Sequence, residues 1–519
     1  MLQTPNCLRY FYLFGVAFRL LRLKFLRKTD DHALARKMIA QRLGQGGGIA
    51  MKIGQVIADV GQSTEMRTLL ESQTARPLKE MMPVLEQALE GHVDQVFKTI
   101  SEQASAASLG QVHRAELHTG EIVAIKIQYP FVEPAVRAEL KLAGLIPGLG
   151  PVKKWGIDLN AYRRELADNM DRELDYLSES QRQHRMRQSI SVDGLVIPSI
   201  YSEYCSQRVL VQGWETGELL DQILDWPPVD RMLVGRTLLL TLFKSLFEVG
   251  EVHGDPHMGN TFYRYGESGK PEVVLLDFGC TIQVSPLARQ ALLKMIIETR
   301  EKSASAEQVL QSFVALGFDP DKLIHIVDQL PLLAQVLFKP FLSDEPFETQ
   351  SWKIKPLFEQ LLGDNRWWFR SAGPADLFLI MRAFQGVVRQ LNRLDVSLPW
   401  WPLLVKGLSE DALKEARAVK LPDLPENIEQ KALSTPAISS SLKIKIEYTG
   451  DKRPVEISLP ALAALELEQV IPDDVLALID KTEDIDLDLI EKQLIDTRLA
   501  PGVLFTFQKS GTTYWVWLE

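Results

Sequence analysis

An aspartate at position 255 is followed five residues later by Asn260, and a second aspartate opens the run Asp277-Phe278-Gly279. Oxygen donors in that order suit a nucleotide phosphate with a divalent ion. In phosphoryl-transfer sites with this order, the first aspartate faces the acceptor hydroxyl or water, and the asparagine and second aspartate hold metal that neutralises phosphate charge. Hard oxygen ligands favour Mg²⁺, which keeps several waters and shares its substrate's phosphates. Either half alone is a weak signal; in this order, with the apolar run Val273 to Leu276 delivering Asp277, the pattern points to ATP with Mg²⁺. Lys126 closes another apolar run, Val123-Ala124-Ile125-Lys126, so its ammonium can reach the α- and β-phosphates. A carboxylate should steady that lysine from a long helix, Leu159 to Met186, on which Glu165, Glu173 and Glu179 all qualify.

The elements that must carry these groups fall into segments. Residues 1–29 hold six basic residues (Arg9, Arg19, Arg22, Lys24, Arg27, Lys28) and no acid. Their stretch 8–28 reads either as a helix lying in an anionic membrane surface or as one packing on the domain. Residues 30–100 read as a helical extension: Asp31 to Leu43, a second stretch from Ile49, and a helix over Pro83 to Ile100. Residues 101–215 read as a β-rich lobe with inserted helices. Here a small-residue turn (Ala106, Ala107, Ser108) leads into a strand, His118-Thr119-Gly120 makes a hairpin, and Ile122 to Ile127 and Arg208 to Gln212 are strands. Residues 216–420 read as a helical lobe around the metal loop, 421–440 as a proline-punctuated linker, and 441–519 as a small α+β domain with two hairpins. The expected class is α+β, with a two-lobed kinase-like fold.

The bulk numbers set bounds. A chain of 519 residues has room for two lobes and accessory segments, and its net charge of −10 argues against nucleic acid as a partner. Three widely spaced cysteines suit a reducing compartment. No run of about 18 apolar residues predicts a transmembrane helix. The expected location is cytoplasmic, and peripheral on the inner membrane face if the basic segment lies in the lipid surface rather than packing on the domain.

Four motifs in order resemble the UbiB/AarF family of atypical kinase-like proteins: Lys52-Ile53-Gly54-Gln55, Ala106-Ala107-Ser108-Leu109-Gly110-Gln111-Val112-His113, Glu173-Leu174-Asp175-Tyr176 and His253-Gly254-Asp255-Pro256-His257. The resemblance covers about residues 49–395, including a helix over Leu377 to Leu394. It implies a regulatory lid at Lys52 and Gln55 over the cleft, met by the Glu173/Asp175 pair. It also implies Glu179 as the partner of Lys126, Asp255 as the catalytic-loop aspartate, and Asn260 and Asp277 as metal ligands. The alanine turn, Lys126, Gln212 and Trp214 would then surround the nucleotide. The chain departs from the family's pattern with Met258 in place of proline, Gly213 where a hinge glutamate is common, and the 441–519 domain where a membrane span usually lies.

The resemblance implies an ATPase or phosphotransferase that supports isoprenoid-quinone (ubiquinone) synthesis. Its partners would be an isoprenoid lipid or quinone precursor and quinone-biosynthesis proteins. Alternatives are a nucleotide-gated binding module with negligible turnover and a small-molecule phosphotransferase.

Overall fold

The computed structural model describes residues 75–107, 109–134, 170–254, 258–302, 304–374, 377–426, 441–448, 454–479, 485–497, 499–509 and 511–519, with a few isolated positions between them. Four antiparallel strands form the first sheet: β1 (Phe97–Ala106), β2 (Gly110–Leu117), β3 (Ile122–Gln128) and β5 (Val209–Gly213), in that order across it. Strand alternation decides what each face does. On β3, Val123, Ile125 and Ile127 are fully buried with Val209 and Val211 beneath helix α1 (Leu78–Ala88), which contributes Met81, Val84 and Leu85. Each such side chain contributes about 1.5–3 kcal/mol. Lys126, between Ile125 and Ile127, is thereby turned to the opposite face.

Two polar residues share the α1 face, because Gln111 lies opposite Ile127 and His113 opposite Ile125. Both are fully buried. The Gln111 carboxamide accepts from the Arg76 N–H at 2.8 Å and donates to the Arg76 carbonyl at 2.9 Å. It also donates to His113 Nε2 at 2.7 Å, so His113 Nδ1 carries the proton given to the Ser101 carbonyl at 2.8 Å. A closed set of bonds removes the penalty of burying these groups, and it ties the chain entering α1 to the sheet.

The expected helix over Pro83 to Ile100 is corrected. α1 ends at Ala88, Glu90 and Gly91 turn the chain with positive φ (54° and 83°), and a single helical turn leads into β1 at Phe97. Val93 and Phe97 are buried as expected, but through a turn and a strand, which bury apolar residues as well as a helix does. The expected continuous helix from Leu159 to Met186 is also interrupted. A turn at Leu174 precedes Asp175, whose side chain accepts from the Ser178 N–H and caps a new helix, α2 (Tyr176–Ser189).

The second lobe is mainly helical. α3 (Pro228–Lys244) opens with proline at its first position and passes into a π-helical turn, Ser245–Val249, closed by Gly250 at φ 75°. β6 (Glu251–His253) pairs with β9 (Thr281–Gln283), and β7 (Thr261–Tyr265) pairs with β8 (Pro271–Leu275). α4 (Pro286–Arg300), capped by Ser285, and α5 (Leu377–Leu394) complete the lobe around Phe243, Phe341 and Trp400. Between the lobes, β4 (Leu195–Val196) runs parallel to β8, while Ile200 bridges to Gln212 on β5. This is the expected α+β, two-lobed kinase-like arrangement.

The C-terminal residues form a second antiparallel sheet, ordered β11 (Val455–Pro460), β10 (Ser441–Tyr448), β13 (Thr512–Leu518), β12 (Gly502–Lys509). Leu442, Val516, Leu518, Phe505 and Phe507 are buried in the same apolar core as the helical lobe, a core that also takes in Leu487 and Leu494 of α6 (Leu487–Asp496). Lys339 meets Glu466 at 2.6 Å across that junction, and Lys302 donates to Ser441. Among the described residues, no helix is long and apolar enough to cross a membrane. The basic segment 1–29, and with it residues 8–28, lies outside the described residues.

Candidate active site

Lys126 leaves β3 toward α2 and meets two carboxylates. Its Nζ donates to Glu179 Oε1 at 2.8 Å and Oε2 at 3.1 Å, and to Asp277 Oδ2 at 3.3 Å. The ammonium also sits 4.8 Å from the centre of the buried Tyr176 ring. The Lys126 side chain is 14 % exposed and Glu179 is 2 % exposed, whereas Asp277 is 39 % exposed. The pair is therefore internal, and the aspartate opens toward the cleft. Burial works against the charge on Lys126, but Asp277 and Glu179 overcome it and hold the ammonium well above its ordinary range. Burial pushes the Glu179 carboxyl up, opposed by Lys126. Burial also pushes the Tyr176 phenol up, so it stays neutral beside them.

Asp277 emerges two residues beyond β8 with φ 60°, a left-handed conformation unusual for a residue with a side chain. Its own Oδ1 accepts from the Gly279 N–H at 3.1 Å. Upstream, the Leu276 N–H donates to the Asn260 carbonyl at 2.8 Å, which places Asn260 and Asp277 at the same end of the β7–β8 ribbon. His253 donates through Nε2 to the Asp277 carbonyl at 2.6 Å, with the Leu276 carbonyl 3.3 Å away. The His253 ring also stands edge-on to Phe278 at 5.3 Å. Gly254 follows because the space is filled: a Cβ there would meet Cys280 Sγ and Ile282 Cδ1 at 2.9 Å.

The turn between β1 and β2 is tight. The Ala107 N–H donates to the Gly110 carbonyl at 2.8 Å, and a Cβ on Gly110 would lie 2.2 Å from the Ile127 carbonyl oxygen. The turn therefore lies directly against β3 next to Lys126, with Ala106 ending β1. Gln212 shares the Lys126 face of the sheet, but its carboxamide oxygen accepts from Gln183 Nε2 at 2.7 Å. That bond braces α2. The Trp214 N–H continues the strand pairing to the Ile122 carbonyl at 3.0 Å. Glu173 is buried, and Asp175 spends both oxygens on Ser178, accepting its N–H at 3.1 Å and its hydroxyl at 2.6 Å. Lys52, Gln55, Ser108, Glu165 and Asp255 lie outside the described residues.

Lys126, Glu179 and Asp277 thus come together, with Asn260 beside them. The choice among the helix glutamates resolves geometrically to Glu179, one turn into α2. The sequence reading gave no task to His253 or Tyr176, although each stands inside a quoted motif, His253 opening the His-Gly-Asp-Pro-His run and Tyr176 closing Glu-Leu-Asp-Tyr. The donor set fits a magnesium ion: one open carboxylate and a neighbouring amide residue, both hard oxygen donors. Among the described residues no cluster of three or more His, Cys, Asp or Glu makes a closed cage, and Mg²⁺ typically draws its remaining ligands from phosphate and water.

Residues 69–310 match the ABC1 atypical kinase-like domain. An uncharacterized chloroplastic aarF domain-containing protein kinase of Arabidopsis thaliana is 30% identical over 314 residues, covering 56% of this chain and 43% of that protein. The AarF domain-containing kinase 1 of Drosophila melanogaster is 30% identical over 264 residues, covering 49% and 51% respectively. The chain spans about half the length of these curated relatives. Among solved structures, a Mycobacterium tuberculosis protein in complex with erythromycin is 21% identical, covering 72% of this chain and 97% of that one with a TM-score of 0.46.

Proposed function

Because this chain belongs, through residues 69–310, to the ABC1 (AarF) family of atypical kinase-like proteins, we propose that it binds Mg²⁺–ATP and turns it over in support of isoprenoid-quinone synthesis or lipid handling at a membrane. The observation that carries the reading is the convergence of Lys126 on Glu179 and Asp277 at 2.8 and 3.3 Å. Lys126, kept charged, binds the α/β-phosphates, and Glu179 fixes its direction. Asp277 and Asn260 would hold magnesium, which when bound neutralises charge on the phosphates. Asp255 orients the water or acceptor hydroxyl. Lys52 and Gln55, with Glu173 and Asp175, form the lid over the cleft, and residues 8–28 attach the chain to anionic lipid.

One observation favours a second reading, a nucleotide-gated binding module. The Ala106–Gly110 turn has a single glycine pressed against β3, so fewer backbone amides are free to follow the phosphates through a reaction. Hydrolysis of Mg²⁺–ATP by wild type and Asp277→Asn separates the two. Turnover abolished by the substitution supports the enzyme; tight ATP binding with turnover no faster than buffer supports the module. Isoprenoid-quinone content of cells lacking the protein, rescued by wild type but not by Asp277→Asn, tests the pathway.

A further inference from the structure

The loop that presents Asp277 exposes four successive backbone carbonyls, and two side chains deal with all of them. His253 faces those of Leu276 and Asp277. The other two belong to Arg182: its Nε donates to the Phe278 carbonyl at 3.1 Å and its Nη2 to the Gly279 carbonyl, also at 3.1 Å. Nη2 further reaches the Arg172 carbonyl at 3.4 Å. Arg182 is 9 % exposed and lies on α2, three residues after Glu179. Side chains three apart share one helix face. A single face of α2 therefore holds both the phosphate lysine, through Glu179, and the backbone of the metal aspartate, through Arg182.

We propose that Arg182 is a positioning residue that keeps Asp277 in its metal-binding pose and makes that pose conditional on the same helix placement that orders Lys126. The proposal rests on the Mg²⁺–ATP reading and deepens it. Asp277 sits at φ 60°, and a strained backbone of this kind persists only where its surroundings over-determine it. A guanidinium suits the task because its planar fork addresses two adjacent acceptors at once, which a single ammonium does not. The charged groups around it are Glu179, Glu251, Asp175 and Arg172, so it also balances carboxylates. That second role is purely electrostatic and would be met equally by lysine.

The test compares wild type, Arg182→Gln and Arg182→Lys in the full chain. One arm titrates Mg²⁺ while a fluorescent ATP analogue binds, with a parallel titration in EDTA. Arg182→Gln is expected to raise the Mg²⁺ half-saturation about tenfold, the effect of losing one charged hydrogen bond, with metal-free affinity within about twofold of wild type. Arg182→Lys should fall between them. An unchanged half-saturation in Arg182→Gln, an equal loss with and without Mg²⁺, or full restoration by lysine overturns the proposal. The second arm needs no nucleotide: amide exchange over residues 277–280 should accelerate in both variants while exchange in β7 stays constant, and unaltered exchange there overturns the clamp. If wild type binds no Mg²⁺–ATP, the functional reading fails and the exchange arm alone decides the clamp. If Arg182→Gln does not fold, Arg182→Lys decides on both arms.

Discussion

Two four-stranded antiparallel sheets make opposite use of a buried face. The C-terminal sheet follows the simple rule: Leu442, Phe505, Phe507, Val516 and Leu518 go inward, and Lys443, Lys445, Glu447 and Trp515 alternate outward. The first sheet breaks that rule twice. It buries Gln111 and His113 among Val123, Ile125 and Ile127 on one face, and on the other it aims Lys126 at two carboxylates. A sheet that only holds a domain together can be apolar inside and charged outside. A sheet that serves a site carries polar groups where they cost most, and every one of them is matched.

The sharpest way to break this contrast is to remove the matching at the site. Asp277→Asn should lower Mg²⁺–ATP turnover by about 10²-fold or more, in line with losing a charge-stabilising group, with little change in the thermal unfolding midpoint; a steady-state phosphate-release assay reads the first and calorimetry the second. In the C-terminal sheet the effects should reverse. Leu442→Ala is expected to cost about 2–5 kcal/mol of stability as a fully buried leucine, while ATP affinity measured below the unfolding transition stays at the wild-type value.

Gln111→Leu sharpens the comparison further. It fits the apolar surroundings but leaves the Arg76 N–H and carbonyl without the carboxamide, for an expected loss of about 1–3 kcal/mol in denaturant unfolding. A conventional core position in the C-terminal sheet would tolerate such a change. The pH dependence of the Lys126 contact is subtler. Its folded-state pKa is raised above the ordinary 10.5, so its stabilisation is fully present below that value and is lost only as pH climbs past the raised one. The gap in unfolding midpoint between wild type and Lys126→Met should hold across neutral pH, close in strong alkali, and narrow in acid as Glu179 takes up a proton above its usual 4.5. Smallest of all, Lys445→Ala removes the outward pair with Glu447 and should leave melting unchanged.

Much of the site was legible because Lys126 lies within a strand and Asp277 just beyond one, where sequence pattern is strong. Val123-Ala124-Ile125 announced Lys126, and the run before Asp277 announced β8. The helix over Leu377–Leu394 and both C-terminal hairpins also follow their patterns. The failures have physical causes. Val93 and Phe97 fit a helical period, yet Glu90 and Gly91 turn the chain first, and apolar spacing does not register a left-handed turn. Asp175 could be read as a functional carboxylate but not as the residue that restarts a helix, since a cap depends on backbone direction. Arg182 carries no pattern at all: only tertiary structure brings Phe278 and Gly279, 96 and 97 residues away, to its guanidinium.

The short segment after α2 has a mechanical consequence. Leu195 and Val196 are hydrogen-bonded to the ribbon that ends in Asp277, and a few residues later Ile200 and the Ser199 carbonyl are bonded to the strand that ends in Gly213. This stitch spans the gap where two lobes would otherwise part like a jaw on a free hinge. Wide gaping would tear backbone bonds on one side or the other, so the stitch limits how far the two lobes can part.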